Sequence, residues 1–279
     1  MTDDWFIEKH TPHAGLSLAI RERLLDEQTP FQRIEVLDTH EFGRMMLLDG
    51  CVMFTDRDEF VYHEMIVHVP MLTHPAPKDV LIIGGGDGGS VREALKHPGV
   101  ESVQLVEIDE GVINASRKYF PALVTGLDDP RVSIQCMDGF QFLDDHQDAF
   151  DVILVDSIDP VGEAAKLFTT SFYAKVKASL RAGGCAAFQS ESPFYSTSVL
   201  AEMQQRLGEG FKVVRPYTAF IPTYPSGLWS FTFTSDSMDP LQRFPERMPP
   251  HLDGLRYLNA GVFRAAFALP NYIREGLGL

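Results

Sequence analysis

Residues 80–90, VLIIGGGDGGS, join a short apolar run to five glycines with one aspartate among them. Gly84, Gly86 and Gly89 satisfy G-x-G-x-x-G, the fingerprint of a nucleotide-binding turn between a strand and a helix. Such a turn presents backbone N–H groups and a helix N-terminus to negative charge. Asp87 lies inside this turn and carries negative charge itself. The sequence therefore raises the question of which ligand a nucleotide-binding loop with a carboxylate would accept.

The composition excludes several classes of protein. The 279 residues include 44% hydrophobic side chains, enough for a sizeable core, and the formal net charge is −15. That charge disfavours nucleic acid and anionic membranes as partners, because both bind through Lys and Arg. Three scattered cysteines without C-x-x-C indicate neither a disulfide framework nor a zinc site. Without a signal-peptide pattern or an apolar run of membrane-spanning length, we expect a cytoplasmic protein.

The first 77 residues predict a small β-rich domain. Residues 31–37 and 44–48 have the composition of strands, and residues 48–50 are typical of a hairpin turn. Residues 56–71 predict a helix that leads out of this domain. A proline-rich joint follows it.

Residues 78–279 predict a second domain, because strands and helices alternate along most of its length. Strands are predicted at residues 79–83, 102–108, 132–136, 150–155 and 184–189, and helices at 90–96, 110–119 and 171–180, with a short helix near residue 140. This alternation indicates an α/β domain with a mostly parallel, doubly wound sheet and helices on both faces. From about residue 238 the chain predicts a tail with a last helix at residues 270–276.

A carboxylate follows each of the first four strands of the second domain. These residues are Asp87, Glu107, Asp138 and Asp156. A single acidic residue after a strand is usually a helix cap or a loop residue. Ligands of parallel sheets, however, bind at the carboxyl ends of the strands. Four carboxylates at that edge therefore predict a binding site.

Each position predicts a chemical role. Glu107 lies about 20 residues past the glycines, where an acidic side chain accepts hydrogen bonds from ribose hydroxyls; the alternative is a helix cap. Asp138 is placed to accept from an adenine amine, with the backbone of Gly139 close to the ring, or to form a turn. Asp156 and Asp159 could share a proton, hold a cation or bind a metal ion such as Mg²⁺.

The charge of the loop predicts the class of ligand. The pyrophosphate of NAD would be repelled by Asp87 at close range. A nucleoside with a positive charge and no phosphate would be favoured, and S-adenosylmethionine and its relatives carry a sulfonium and an ammonium group. Glu107 and Asp138 would hold the adenosine of such a ligand, with its cationic groups beside Asp87 and Asp156. The site thus predicts a sulfonium-dependent transferase.

His63 and His68 resemble the zinc motif H-E-x-x-H but stand one residue too far apart. Histidines at i and i+5 do not share one face of a helix, so we expect no metal site here.

Several further segments extend the pattern over nearly the whole chain. Two more segments, DRDEFVYHEM at residues 56–65 and IPTYPSG at residues 221–227, accompany the strand-end segments GGGDGG, VEID, DG and DSIDP. With these segments the chain resembles the spermidine synthases, which are polyamine aminopropyltransferases. The resemblance implies a small N-terminal β-domain, a Rossmann-like, class I methyltransferase-like domain and a homodimer or homotetramer.

The resemblance also implies a reaction. An aminopropyl group would move from decarboxylated S-adenosylmethionine, a co-substrate, to putrescine, and the products would be spermidine and methylthioadenosine. No cofactor and no metal would be needed. The implied donor-binding residues are Gln32, His63, Glu107, Asp87, Asp138 and Gly139, with Gly84 and Gly86 of the turn; Asp156 would be the catalytic acid/base, and Tyr62, Asp156, Asp159 and Tyr224 would line the polyamine channel.

Two departures from the resemblance leave the acceptor amine open. Glu163 stands where many relatives have proline, and Ile158 stands where a small or hydroxyl-bearing residue is common. Both lie in the loop that should cover the acceptor, so cadaverine, agmatine and spermidine remain alternatives to putrescine. Other classes also stay open: a methyltransferase using S-adenosylmethionine, a non-catalytic polyamine-binding protein and an NAD enzyme.

Overall fold

The computed structural model describes residues 4–158 and 162–279. Its N-terminal part is an antiparallel sheet of five strands in chain order. The strands are β1 (Asp4–Thr11), β2 (Ala14–Gln28), β3 (Arg33–Thr39), β4 (Gly43–Leu48) and β5 (Cys51–Thr55). Among these described residues, none of the helices is both long and apolar enough to span a membrane.

The second sheet has seven strands in the order β11-β12-β10-β9-β6-β7-β8. They are β6 (Asp79–Gly84), β7 (Ser102–Glu107), β8 (Val132–Cys136), β9 (Phe150–Asp156), β10 (Leu180–Gln189), β11 (Val213–Phe220) and β12 (Leu228–Ser235). The five strands from β10 to β8 are parallel, and β12 pairs antiparallel with both β10 and β11. The predicted class, a mostly parallel sheet after a small β-domain, is confirmed.

Eight α-helices accompany the sheets in the described residues. They are α1 (Glu59–Thr73), α2 (Gly89–Ala94), α3 (Glu110–Tyr119), α4 (Gly139–Phe142), α5 (Thr170–Ser179), α6 (Thr197–Gly210), α7 (Ala260–Ala265) and α8 (Asn271–Leu277). Short 3₁₀ turns connect them, among them Gly162–Phe168 after β9.

The apolar run of β6 is buried on both faces of the second sheet. Side chains alternate along a strand, so Val80 and Ile82 join one core while Leu81 and Ile83 join the core on the other side. Helices α1, α2 and α7 cover the first face, and α4, α5 and α6 cover the second. The end of β6 therefore lies in the middle of the sheet, and the glycine loop opens there.

Helix α1 is buried on nearly every side and packs on the second sheet against β9 and β10. Its Glu64 accepts the backbone N–H groups of Arg256, Tyr257 and Leu258 at 2.7–2.9 Å, which ties the C-terminal tail to the helix. The division of the chain at residues 77 and 78 stays a prediction. Because α1 shares the core of the second sheet, its position next to the strand ends is fixed by packing.

The hairpin turn at residues 48–50 forms as expected. Asp49 and Gly50 both have positive φ, as the tight two-residue turn between β4 and β5 requires. Five strands were not predicted, namely β1, β2, β5, β11 and β12. The hairpin of β1 and β2 is partly exposed on both faces, so its alternation of polar and apolar residues is weak.

Candidate active site

A cavity of about 410 Å³ lies between the N-terminal sheet and the carboxyl ends of the parallel strands. Its lining brings together eleven of the twelve predicted site residues: Gln32, Tyr62, His63, Gly84, Gly86, Asp87, Glu107, Asp138, Gly139, Asp156 and Tyr224. The twelfth, Asp159, lies outside the described residues. The roles assigned to these residues stay predictions, and their geometry shows what each can do.

The first glycine of the loop lets two strands approach closely. Gly84 has φ +80°, and a Cβ there would lie 2.1 Å from the backbone oxygen of Asp156. The N–H of Gly85 donates to that same oxygen at 3.0 Å. The glycines thus place the loop of β6 directly against the end of β9.

Glu107 is buried and accepts two backbone N–H groups. Its carboxylate oxygens contact the N–H of Gly86 at 3.1 Å and that of Asp109 at 2.9 Å. Burial raises the pKa of Glu107 to about 7 although both hydrogen bonds favour the charged form. The cap of helix α3 is the carboxylate of Asp109, which accepts from Gly111. Glu107 is therefore not the cap and faces the cavity.

Asp87 takes the place that a phosphate would occupy in a nucleotide-binding turn. Its carboxylate accepts the N–H of Gly89 at 2.6 Å, at the start of α2. It also lies 3.1 Å from Nε2 of His63. Burial opposes its ionisation, but the charge and hydrogen bond of His63 dominate and lower the pKa of Asp87. Since Asp87 and Glu107 already occupy N–H groups of the loop, a ligand phosphate would meet carboxylates there.

Asp156 accepts hydrogen bonds from two hydroxyl groups at the end of β9. The hydroxyl of Tyr62 donates to one oxygen and that of Ser90 to the other, each at 2.6 Å. Burial and then the charge of Asp87 raise the pKa of Asp156, while His63 opposes the shift. Ser90 was missed by the sequence analysis, because a serine after a glycine run carries no specific signal.

Asp138 caps helix α4 and also lines the cavity, so the turn interpretation is confirmed and the adenine role stays a prediction. One of its oxygens accepts the N–H of Phe140 at the start of α4, and the other lies 2.7 Å from the ammonium of Lys166. A Cβ on Gly139 would lie 2.4 Å from the side chain of Ile83, so this glycine permits close packing on β6. Lys166 was not predicted as a site residue.

Gln32 joins the N-terminal part of the chain to the side of the cavity where Glu107 lies. Its amide nitrogen donates to the carboxylate of Asp109 at 3.0 Å, and the hydroxyl of Thr29 donates to the same carboxylate at 2.7 Å. Asp109 follows Glu107 by two residues. The VEID segment therefore supplies one carboxylate to the cavity and one to the contact between the sheets.

Aromatic side chains form the opposite wall. The rings of Tyr62 and Tyr224 lie 6.0 Å apart, and Trp229 packs edge-on against Tyr224 at 4.7 Å. The hydroxyl of Tyr224 donates to the backbone oxygen of Met53. Trp229 was not predicted, since only the folded β12 brings it to the cavity. This wall suits an alkyl chain that ends in an ammonium group.

His63, Asp87 and Asp156 offer ligand atoms within 4.8 Å of one another, the one such group found in the described part of the chain. A histidine must be deprotonated to bind a metal. Burial lowers the pKa of His63, but Asp87 and then Glu59 outweigh it and raise that pKa to about 10. In its charged form His63 therefore has no ring nitrogen lone pair to offer a metal ion.

The fold and the cavity together define a class of protein. A Rossmann-like sheet holds a carboxylate suited to ribose at one end of the cavity and two further carboxylates beside an aromatic wall at the other. This architecture is that of the Rossmann-like, class I methyltransferase-like transferases.

Comparisons with known proteins identify the family. The profile described as "Spermine/spermidine synthase domain" matches residues 59–243, and "Spermidine synthase tetramerisation domain" matches residues 4–56. The chain belongs to the spermine/spermidine synthase family of polyamine aminopropyltransferases and is a transferase.

Relatives match along almost the entire chain. Polyamine aminopropyltransferases of Thermoanaerobacter sp. (strain X514) and Bacillus mycoides (strain KBAB4) are each 46% identical over 271 residues, which is 97% of this chain and 97% and 98% of theirs. A spermidine synthase solved in complex with the transition state analogue AdoDATO has a TM-score of 0.97 and 41% identity, covering 100% of this chain and 96% of that one. The spermidine synthase of Thermotoga maritima has a TM-score of 0.95 and 41% identity, covering 100% and 95%.

Proposed function

We propose that this transferase moves an aminopropyl group from decarboxylated S-adenosylmethionine to putrescine, giving spermidine and methylthioadenosine. The observation that carries the proposal is the position of Asp87. It occupies the anion-binding N–H of the glycine loop and faces the cavity together with Asp156. A donor with a sulfonium and an ammonium group complements these carboxylates, and Glu107 is placed to accept hydrogen bonds from its ribose.

The two ends of the donor have separate supports. Asp138 and Gly139 border the space next to Glu107, where an adenine ring would lie. The aminopropyl group would extend towards Asp87 and His63. An intact S-adenosylmethionine carries a carboxylate at that end, which Asp87 would repel. The site therefore favours the decarboxylated donor over the donor of a methyltransferase.

Asp156 is placed to act as the base. An alkyl amine has a pKa of about 10.4 and is protonated at neutral pH, so it must lose a proton before it attacks. Asp156 accepts that proton, and the freed lone pair forms the C–N bond to the propyl carbon. The C–S bond breaks in line with the attack, and its electron pair stays on sulfur. Methylthioadenosine leaves as a neutral thioether.

Putrescine is proposed as the acceptor on the chemistry of the aromatic wall and on the resemblance to the spermidine synthases. Tyr62 and Tyr224 flank an apolar channel beside Asp156, and a diamine needs a carboxylate at one end and an apolar path for its methylenes. The resemblance assigns the distal ammonium to Asp159. Cadaverine, agmatine and spermidine are the alternatives.

One assay tests the proposal. The protein is incubated with decarboxylated S-adenosylmethionine and each of the four amines separately, and products are identified by mass. We expect spermidine and methylthioadenosine with putrescine as the best acceptor. If one of the other three amines is the better acceptor, the proposed substrate is wrong. If methylthioadenosine forms with none of the four amines, the proposed transfer is refuted.

The Asp87→Asn variant tests the choice of donor. It removes attraction for the decarboxylated donor and repulsion of the carboxylate of S-adenosylmethionine. The dissociation constant of S-adenosylmethionine divided by that of the decarboxylated donor, both measured by calorimetry, should therefore fall by roughly tenfold or more. An unchanged ratio would show that selection lies elsewhere.

We further propose that the chain works in the cytoplasm without a metal or other cofactor and assembles as a homodimer or homotetramer. The match of residues 4–56 to a tetramerisation domain supports assembly through the N-terminal sheet. Activity that survives exhaustive treatment with a chelator would support the absence of a metal.

A further inference from the structure

Behind the cavity, five side chains of alternating charge connect α2 through α1 to the glycine loop. Glu59 lies 2.7 Å from Nδ1 of His63, and Asp87 lies 3.1 Å from Nε2 of the same ring. Arg92 donates to both oxygens of Glu59, at 3.1 and 2.9 Å, and its Nε donates to Glu93 at 2.8 Å.

The hydrogen bonds of this chain require a charged imidazole. A neutral histidine has one N–H and can donate to one carboxylate only, whereas a protonated ring donates from both nitrogens. His63 has a carboxylate at each nitrogen, and its side chain is 2% exposed, so water does not provide an alternative partner. The geometry therefore assigns the imidazolium form to His63.

We propose that Glu59, held by Arg92, is a positioning residue: it keeps His63 charged and in place, and the charged ring keeps Asp87 ionised next to Asp156. Glu59 does not line the cavity, so it acts through His63, and Arg92 contacts Glu59 and not the ring. The consequence for catalysis rests on the proposed function, whereas the charge on His63 does not.

The electrostatics of the buried groups agree with this geometry. Burial disfavours charge on Glu59, but His63 and then Arg92 lower its pKa to about 2. The groups that face His63 are Glu59 and Tyr62 from its own helix, Asp87 from the loop after β6 and Asp156 from the end of β9; Arg92 of α2 reaches it through Glu59.

Loss of Glu59 should therefore spread to the reacting groups. The negative charges of Asp87 and Asp156 raise each other's pKa, and the positive charge of His63 lowers both pKa values. If the ring loses its proton, the pKa values of Asp87 and Asp156 rise together. Asp156 then ionises only at higher pH, so the acidic limb of the pH–rate profile moves to higher pH.

The first arm of the test measures the charge on His63 without any substrate. NMR of ¹³C-labelled histidine follows its C2–H signal, assigned by its loss in His63→Gln. In the wild-type protein we expect the ring to stay protonated from pH 6 to 9. In Glu59→Gln its pKa should fall by about one to three units. Glu64→Gln is the matched control: it removes a buried carboxylate of the same helix that serves the tail, and should leave His63 unchanged.

The second arm measures kcat/KM against pH for the same proteins. The acidic limb should move to higher pH by about one pH unit in Glu59→Gln and should not move in Glu64→Gln. A His63 pKa that is unchanged in Glu59→Gln, or an acidic limb that does not move while that pKa falls, would overturn the proposal. If the wild-type protein transfers no aminopropyl group, the proposed function fails and the titration still decides whether Glu59 controls His63.

A second pair of variants covers the case in which Glu59→Gln does not fold. Glu59→Asp keeps the charge but shortens the reach by one methylene, so the His63 pKa should fall below its wild-type value. Arg92→Gln frees Glu59 to interact with His63 alone, so the His63 pKa should not fall. A fall in Arg92→Gln equal to that in Glu59→Asp would assign the effect to general disturbance and overturn the proposal.

Discussion

Asp156 has one hydroxyl donor on each carboxylate oxygen, and this arrangement determines how it can act as a base. The hydroxyls of Tyr62 and Ser90 fix the plane of the carboxylate at the end of β9. Each oxygen keeps a second lone pair for an incoming ammonium. The raised pKa of Asp156 moves the group towards neutral pH, which suits the proposed role of a base that accepts and releases a proton.

The variant Asp156→Asn should lose nearly all activity and keep the fold. The amide keeps the shape but cannot accept a proton from the amine, and loss of a general base costs about two to four orders of magnitude. Turnover at neutral pH measures the effect. Asp151→Asn is the control, since Asp151 lies on the same strand and contacts Lys78, Asp79 and Arg181 away from the cavity. Retention of more than a tenth of the wild-type rate in Asp156→Asn would refute the role of base.

Glu107 should make nucleoside binding depend on pH near neutrality. Its pKa is raised to about 7, so the carboxyl is largely protonated at pH 6 and largely ionised at pH 8. Ribose hydroxyls donate to the ionised form. Methylthioadenosine should therefore bind roughly tenfold more tightly at pH 8 than at pH 6. Calorimetric titration of Glu107→Gln should give weaker binding with no such slope, and a flat wild-type curve would contradict the assignment.

Site residues were predictable where they follow a strand. Asp87, Glu107, Asp138 and Asp156 reach one cavity because parallel strands end at one edge of the sheet. Ser90, Lys166 and Trp229 meet them only after folding, and their residue types occur in many surroundings. Glu59 lies one helical turn before His63, but its role depends on Arg92 from another helix.

At the scale of elements, the glycine loop is shaped by what packs against it. A Cβ at Gly86 would lie 2.8 Å from the side chain of Glu107, and one at Gly89 would lie 2.4 Å from the ring of His63. The fingerprint G-x-G-x-x-G predicted the strand, turn and helix correctly. It did not reveal that two of its glycines make room for an acidic and an imidazole side chain.

Gly89→Ala should destabilise the protein and lower its activity. The added methyl would overlap the buried ring of His63, and overpacking of this kind typically costs about 1–3 kcal/mol. Thermal unfolding measures the cost, and the rate per folded molecule should also fall as His63 moves from Asp87. Gly208→Ala in α6 is the control, because its methyl meets no atom within 4 Å. That change should raise stability by about 0.5–1 kcal/mol. Equal Tm values for Gly89→Ala and the wild type would show that the ring of His63 can move aside without loss of stability.

The parallel strands were easier to predict than the antiparallel ones. The central strands are continuous apolar runs because both faces of the sheet are covered. Strand β12, with serine and threonine at half its positions, is buried almost throughout and is fixed by its pairing with β10 and β11. Strand β11 is likewise fixed by its pairing with β12. Helix α6 was also missed, although its buried residues Leu200, Met203 and Leu207 have helical spacing.

At the scale of the whole molecule, the hairpin of β1 and β2 projects apolar side chains that this single chain does not cover. Trp5 is 55% exposed and Ile7 63%, on one face of an edge strand. This region matches the family described as a tetramerisation domain, so we expect other copies of the chain to cover these side chains.

Replacement of both residues should weaken assembly. Trp5→Ser with Ile7→Thr removes exposed apolar surface, and neither position lines the cavity. Light scattering after gel filtration should show a smaller mass than for the wild type at equal concentration. Phe220→Ser, at an equally exposed position on the second sheet, should leave the mass unchanged. An unaltered mass in the double variant would place the interface elsewhere.

The way Asp87 and Glu107 fill the glycine loop also bears on protein engineering. A designer who wished to convert this scaffold into a dinucleotide enzyme could not succeed by exchanging Asp87 for glycine. The ring of His63 would still lie close to Gly89 at the start of α2, and Glu107 would still accept the N–H of Gly86. Three elements would have to change together. Conversion between sulfonium and phosphate ligands is therefore a multi-residue step, and single substitutions along that route should give proteins that bind neither.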